Sequence, residues 1–418
     1  MIDVQLLRDN PDVVRDAVEK KGYDINVDEF LELDKQRRSL QQELDSVRSS
    51  QKSISDKIAK SGVGKPDDQL LSDAKDVKAK VLAAETSYRD VNDRFNSLFR
   101  AVPNIPEEDV PLGGEDDSVE IKRWGEATAK SGKDHLEFAT ERDWVDFERG
   151  AKVAGAKFYF LKNDLALLEN AITQYALSVL MDKGFTFMTV PNMVNSRVAT
   201  GTGFAPRTSD QSDEYYIEGE DLSLIATAEM SLTGYHADEI IDEDKLPLFY
   251  AGLSPCYRKE AGTYGKHTRG LFRVHQFNKL EMYAYVLPEK SREVHDKLLG
   301  IEEEIWQSLG IPYRVVLIAA GDLGAPASKK YDMEYYSPID DSYRELTSCS
   351  NCTDYQARNL DIRVRRSDGK IESVHTLNGT AVSLARSLVA IMENYQTEDG
   401  RLEIPEVLRP YMQNRQYI

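Results

Sequence analysis

Two long segments with a heptad pattern, matched in length and separated by a turn signal, constrain this chain more than any other feature. From Phe30 the core-type positions run Phe30, Leu33, Arg37, Leu40, Leu44, Val47, Gln51, Ile54 and Ile58, in alternating steps of three and four. The breaker Ser61-Gly62-Val63-Gly64-Lys65-Pro66 stops the rhythm, which resumes at Leu70 and runs through Ala74, Val77, Val81, Ala84, Tyr88, Val91, Phe95 and Leu98. Such a repeat on both sides of a Gly/Pro turn predicts two helices folded back on each other as an antiparallel coiled coil. At ~1.5 Å per residue, each helix of about thirty residues spans roughly 45 Å. So slender a hairpin has little core of its own, and it is expected to project as an arm over about residues 28–100. Between Asp28 and Arg100 there are 14 Lys/Arg and 14 Asp/Glu, so the net charge of −19 resides in the rest of the chain. The cations Arg37, Arg38, Arg48, Lys52, Lys57, Lys75, Lys78, Lys80 and Arg89 fit the solvated faces of any coiled coil. They also fit phosphate contacts with a long RNA, and the arm by itself favours the first reading.

The strap from Ala101 to Gly114 holds three prolines and two glycines and reads as a linker. It suggests an N-terminal helical domain over residues 1–110 and a second domain over 111–418. In the second, Leu165 to Lys183 reads as a helix, followed by a strand from Phe185 to Val190. Leu248 to Arg258 and Gln276 to Val286 read as strands flanking a glycine-rich hairpin loop. Further strands are expected at Tyr313–Ile318 and Tyr343–Ser348, and a helix at Thr380–Tyr395 with Ala381, Leu384, Leu388 and Ile391 as its apolar stripe. The fold class is therefore α+β: an antiparallel β-sheet flanked by helices, carrying an N-terminal antiparallel coiled-coil arm.

No apolar run reaches the ~20 residues a membrane span requires, and the opening MIDVQLLRDNPDVV resembles neither a signal nor a transit peptide. The expectation is a cytoplasmic protein without a membrane partner. Three cysteines, Cys256, Cys349 and Cys352, suit a reducing compartment. Cys349-x-x-Cys352 would be half of a zinc site, but no histidine lies nearby in sequence, and ordinary thiols are the favoured reading.

Several familiar chemistries are missing. The chain has no GxxxxGK[ST], no GxGxxG, no HExxH and no GxSxG. A nucleotide enzyme lacking all of these must hold phosphates with side chains. The densest candidate runs from Tyr257 to Phe277, YRKEAGTYGKHTRGLFRVHQF. Arg258 at a strand end can fork two N–H groups onto a phosphate, and Phe277 can offer its face to a base. Alternation of Leu280, Met282, Ala284 and Val286 turns Glu281 to the opposite face. Judged on residues alone, a basic hairpin is more often a solvent loop than a site.

That block, however, resembles motif 2 of the class II aminoacyl-tRNA synthetases, in its seryl form. Gly184-Phe-Thr-Phe-Met-Thr-Val-Pro191 resembles motif 1, the dimer-forming segment, and Leu377 to Gln396 resembles motif 3. Thr227-Ala228-Glu229 and Glu345-Leu346-Thr347-Ser348-Cys-Ser-Asn are similar to two seryl-specific signatures. The coiled-coil arm is similar to the family's tRNA-binding appendage, so the resemblance to the seryl-tRNA synthetase family spans essentially the whole chain. It implies an ATP-dependent ligase that joins L-serine to serine tRNA through a seryl-adenylate, with selenocysteine tRNA as a further candidate acceptor. The partners it implies are ATP, L-serine, serine tRNA and a second copy of the chain in a homodimer; the implied cofactor is Mg²⁺.

Carried over motif by motif, the resemblance gives Arg258, Glu345 and Arg386 the catalytic roles. The ATP site comprises Arg258, Lys259, Glu260, Val274, Phe277, Glu345, Leu346, Thr347, Ser348 and Arg386. Arg258 is expected on the α-phosphate and Glu260 on the adenine amino group, with Phe277 and Arg386 on either side of the ring. Glu345 and Ser348 are the expected metal ligands. Thr227, Ala228, Glu229, Glu281, Asn378 and Thr380 are expected around serine. Lys266 and Arg269 are expected either to touch tRNA or to solvate the loop, and His275 to be structural. Lys259, Ala226, Thr347 and Cys352 depart from the family's usual residues, which puts fine positioning rather than activity in question. A paralogue that charges a carrier protein would lack the arm, and a non-catalytic descendant would lack Arg258, Glu345 or Arg386.

Overall fold

The computed structural model describes residues 1–60, 67–204, 214–260 and 269–418. The breaker at 61–66 and Lys266 lie outside the described residues. Contacts divide the chain into one unit of Asp3–Pro103 and another of Met1–Ile2 with Asn104–Ile418.

In the first unit, α1 (Val4–Asp9) and α2 (Pro11–Lys20) precede two helices of 34 residues each, α3 (Val27–Lys60) and α4 (Asp68–Ala101). Arg48 bonds Glu85 at 2.8 Å and Arg94 bonds Glu29 at 2.6 Å, pairings that require α3 and α4 to run antiparallel. Phe30, Leu33, Leu44, Val81, Ala84 and Phe95 are buried along the predicted seam. At its base Phe99, rather than Leu98, is the fully buried residue, edge-on to Phe30 and stacked on Phe95. A helix of 3.6 residues per turn drifts off a strict 3.5 repeat, so the buried stripe moves round by one residue over this length.

Asp34 is buried beside that seam. Arg8 reaches it at 2.8 and 2.9 Å, Arg37 at 2.9 Å and Arg38 at 3.0 Å. Arg37 also lies 4.8 Å over the Phe95 ring. Two of the arm's candidate phosphate ligands, Arg37 and Arg38, are thus committed to a structural carboxylate, and Arg48 to Glu85. Lys52, Lys57, Lys75, Lys78, Lys80 and Arg89 are exposed.

The second unit is built on an eight-stranded sheet. Its strands in chain order are β1 (Val119–Trp124), β2 (Thr186–Thr189), β3 (Leu248–Tyr257), β4 (Gln276–Val286), β5 (Tyr313–Leu317), β6 (Lys329–Ser337), β7 (Ser342–Thr353) and β8 (His375–Ser383). Across the sheet they lie β1-β5-β6-β7-β8-β4-β3-β2. Every pair is antiparallel except β2 with β3. One face packs on α5 (Asn163–Asp182), α8 (Ser291–Ser308) and α10 (Leu384–Tyr395) around a large apolar core that includes Leu280, Met282, Ala284 and Val286. Against the opposite face lie two short helices, α7 (Ala228–Gly234) and α9 (Tyr355–Leu360), with α6 (Ser196–Thr202) packed on both. Residues 380–383, expected to open the last helix, instead finish β8, and the helix begins at Leu384. A bulge at this point, described below, keeps the strand going past Thr380. The strap is not a free linker: Asn104 gives its amide nitrogen to the carbonyls of Pro326 and Cys352 at 2.8 and 2.9 Å.

The Asp34 cluster makes a prediction for the helical unit. Burial pushes the Asp34 carboxyl up, but the hydrogen bonds from Arg8 and Arg37 outweigh it and hold it down at about 2. Since the folded value lies below the unfolded one, the stabilisation is present above pH ~4 and is lost as pH falls toward 2. Asp34→Asn should cost about 1–2 kcal/mol at neutral pH, read as faster amide exchange at the base of α3. Unchanged exchange there would contradict the assignment.

Candidate functional site

A pleated strand puts residues two apart on one face, yet Glu345 and Ser348 are three apart. The register of β6 with β7 resolves this. Asp332 pairs with Ser348, Met333 with Thr347 and Glu334 with Glu345, leaving Leu346 as the extra residue of a β-bulge. Leu346 and Thr347 therefore both turn to the core, where Leu346 is 1 % exposed and Thr347 Oγ1 donates to Glu302 at 2.8 Å. Glu345 and Ser348 turn together to the other face, beside Asp332. A second bulge does the same in β8. Thr380 pairs with Glu281 and Val382 with Leu280, so Ala381 is the extra residue and Thr380 and Ser383 share the face of Glu281 and Lys279. The two bulges collect the polar residues of β6, β7, β8 and β4 on one side of the sheet.

One end of this face is cationic. Arg386, on the first turn of α10, lies 4.9 Å over the Phe272 ring and bonds the Glu345 carboxylate at 2.8 Å and its carbonyl at 3.3 Å. Arg258, just past β3, lies 5.4 Å over the Phe277 ring and donates from Nε to the Ala226 carbonyl at 3.3 Å. Burial pushes the Glu345 carboxyl up, but Arg386, with Lys330 and Arg258 beyond it, prevails and holds it down at about 2. Asp332 sits next to them, 3.3 Å from Lys330, and among the described residues no donor reaches its buried Oδ1. Two carboxylates and a serine hydroxyl on one face are the hard oxygen donors that Mg²⁺ takes. Among the described residues no cluster of three or more His, Cys, Asp or Glu forms a closed metal cage. The donor set thus fits a cation whose shell is completed by other oxygens, such as those of a phosphate.

The other end is a buried acidic pocket. Thr227 caps α7, accepting from the Glu229 amide at 3.2 Å and donating to Glu281 at 3.2 Å. Glu281 is also ion-paired to Lys279, whose Nζ lies 3.5 Å from Thr380 Oγ1. Glu229 Oε1 accepts from Gln356 at 2.7 Å and from Asn378 at 2.9 Å. Burial, and then the Glu281 charge, push the Glu229 carboxyl up to about 7, against the hydrogen bond from Gln356. Gly252 lets α7 lie this close: a Cβ there would stand 3.0 Å from Ala228 Cβ and 2.9 Å from Leu232 Cδ1.

The sequence-predicted residues are not all equally placed. Thr227, Glu229, Glu281, Asn378 and Thr380 converge on the acidic pocket, and Arg258, Glu345, Ser348, Arg386 and Phe277 on the polar face. Leu346, Thr347 and Ala228 point their side chains away into packed surroundings and can meet a ligand only through the main chain. Val274 is buried, and Lys259 is exposed with its ammonium 5.7 Å from the Tyr215 and Tyr216 rings. Glu260, at φ +50°, is held by Arg273 at 3.0 Å. His275 is structural: its Nδ1 lies 2.9 Å from the Arg258 carbonyl, joining the two ends of the hairpin. Cys349 is buried in the core, whereas Cys352 Sγ lies 3.7 Å from Asn378 at the pocket floor. Sequence reasoning missed Lys279, Gln356, Asp332 and Phe272. Of these, Lys279 was open to discovery, since it stands two residues before Glu281 on the same strand.

The fold and this face define a class II aminoacyl-tRNA synthetase core. Residues 213–395 match the family model for the tRNA synthetase class II core domain (G, H, P, S and T), and residues 1–106 match that for the Seryl-tRNA synthetase N-terminal domain. The serine–tRNA ligase of Dictyoglomus turgidum is 47% identical over 418 residues, covering 99% of this chain and 98% of that one. The serine–tRNA ligase of Methanocella arvoryzae is 42% identical over 430 residues, with 100% of both chains covered. The crystal structure of seryl-tRNA synthetase from Pyrococcus horikoshii complexed with ATP superposes with a TM-score of 0.89 at 40% identity, covering 100% of this chain and 99% of that one. The chain belongs to the seryl-tRNA synthetase family.

The acidic pocket can be tested without any ligand. The Glu229 carboxyl carbon, identified in labelled protein by its absence from Glu229→Gln, should titrate with a midpoint near 7. A midpoint near the ordinary value of ~4.3 would contradict the environment described.

Proposed function

We propose that this chain is a serine–tRNA ligase that activates L-serine with ATP and passes the seryl group to serine tRNA. One observation carries the reading: a single sheet face has two arginines and hard oxygen donors at one end and a buried acidic pocket at the other. A triphosphate suits the first end, and an amino acid's ammonium the second. In the proposed complex Arg258 grips the α-phosphate, where charge develops as the serine carboxylate attacks phosphorus. Glu260 accepts from the adenine amino group, Val274 lies against the nucleotide, and Phe277 and Arg386 bracket the ring. Glu345 and Ser348 would hold Mg²⁺, which would supply neutralisation of the pyrophosphate leaving group. Glu229 takes the serine ammonium, while Glu281, Thr380, Asn378 and Thr227 surround the rest of the amino acid.

The first step forms a bond from the serine carboxylate oxygen to the α-phosphorus and breaks the bond to pyrophosphate. No general base is needed, because the carboxylate is already an anion; positioning and charge stabilisation provide the catalysis. In the second, a hydroxyl of the tRNA's terminal adenosine attacks the mixed anhydride. AMP leaves, and its phosphate is placed to take the proton. The arm over about residues 28–100, in the N-terminal domain 1–110, binds the tRNA, with its exposed lysines and Arg89 as phosphate contacts. We further assign the protein to the cytoplasm as a homodimer. Among the described residues no helix is long and apolar enough to cross a membrane.

Two measurements test this. Serine-dependent exchange of pyrophosphate into ATP should be present, and its KM for serine should rise as pH is lowered through 7. A proton on Glu229 must leave before the ammonium binds, so the rise approaches tenfold per unit well below that midpoint. A serine KM independent of pH between 6 and 8 would argue against Glu229 as the ammonium ligand. Removing residues 28–100 should leave exchange nearly intact and abolish tRNA charging; equal loss of both would contradict the division of labour.

A further inference from the structure

Behind the acidic pocket lies a buried amide with all its hydrogen bonds filled. Gln356, on α9, is fully buried. Its Nε2 donates to the Thr202 main-chain carbonyl at 3.1 Å and to Glu229 Oε1 at 2.7 Å. Its Oε1 accepts from Tyr283 OH at 2.9 Å and Thr376 Oγ1 at 2.8 Å. The Thr202 carbonyl can only accept, which assigns the nitrogen to that side without ambiguity, and the two hydroxyls then supply the donors that the oxygen requires. One amide thereby ties together α6, α7, α9, β4 and β8. A flipped amide would set oxygen against the Thr202 carbonyl and the Glu229 carboxylate, both acceptors. In a fully buried site that loses two hydrogen bonds at once.

The consequence falls on Glu229. Gln356 and Asn378 both donate to Oε1. Among the described residues no hydrogen-bond donor reaches Oε2. The carboxylate is thus held by one oxygen with the other left over. Asn378 is itself on the pocket floor, next to Cys352, whereas Gln356 is fully buried and bonds Glu229 from behind.

We infer that Gln356 is a positioning residue for amino-acid recognition: its locked amide occupies Glu229 Oε1 and so presents Oε2 to the substrate's α-ammonium. This rests on the serine reading of the pocket given above. Gln356 has no role in holding ATP and none on the reacting atoms.

The test uses two tight-binding probes with the full chain: the sulfamoyl analogue of seryl-adenylate, and its counterpart in which hydrogen replaces the α-amino group. Calorimetry with Gln356→Glu, which puts a carboxyl oxygen where the Nε2 donor stands, should show the amino analogue weakened tenfold or more and the desamino analogue less than threefold. Tyr283→Phe removes one bond to the amide with almost no change of volume, and should give the same selective pattern at roughly threefold. It also serves where Gln356→Glu folds poorly, and ATP affinity within twofold of wild type certifies folding in either variant. Equal weakening of both analogues, or of neither, in the folded variants overturns the inference. A wild-type protein that fails to prefer the amino analogue would instead overturn the serine reading itself.

Discussion

The polar face of the sheet depends on two extra residues in its central strands. A regular strand would send either Glu345 or Ser348, and either Thr380 or Ser383, into the apolar core, because side chains alternate strictly. Leu346 and Ala381 absorb the phase error. Each is an apolar residue inserted toward the core, and each lets two polar residues three apart face the same way. The bulges lie on adjacent strands of the sheet's centre, so the metal-type donors and the acidic pocket share one surface. A bulge costs ladder hydrogen bonds; here burial of Leu346 and Ala381 in the main core offsets that cost.

The polar face then has to hold acids and cations side by side without collapse. Glu345 is held ionised by Arg386 and Asp34 in the helical unit by its arginines, while Glu281 is ion-paired to Lys279. Glu229 is treated differently. It receives neutral amide donors instead of a cation, and burial leaves its carboxyl near neutrality. A carboxylate without a resident cation is a receptor for one, because desolvation makes an arriving ammonium worth more than it would be at a solvated surface. Glu302, behind the sheet, is the contrasting case. It is fully buried, burial raises its carboxyl well above the usual value, and it accepts from Thr347 Oγ1 under the sheet.

Periodicity made some of this legible in the sequence. The hairpin followed from heptads, the two strands around the basic loop from their β-rich runs, and the facing of the second from alternation at Leu280, Met282, Ala284 and Val286. Strand β6 went unread although Lys330, Asp332 and Glu334 alternate with Tyr331 and Met333 in the strand pattern, because three charges on one face look like solvent-facing surface. These charges in fact line the polar face. The start of the last helix was misjudged because Ala381 fits an apolar helical stripe as well as it fits a bulge, and only cross-strand register tells them apart. The acidic pocket was reached through family motifs, and its support was not: Gln356 lies in a short helix with no motif around it, and nothing local marks a glutamine for burial.

The central claim is that Arg258, Arg386 and the Glu345/Ser348 donors form one triphosphate site beside the pocket of Glu229. A crystal structure with ATP, Mg²⁺ and serine tests it most directly. The nucleotide should lie bent over the face of β7 and β8, with the α-phosphate against Arg258, Glu345 drawn from Arg386 to the cation, and the serine ammonium on Glu229. An adenosine bound elsewhere, or a serine ammonium turned away from Glu229, would contradict it.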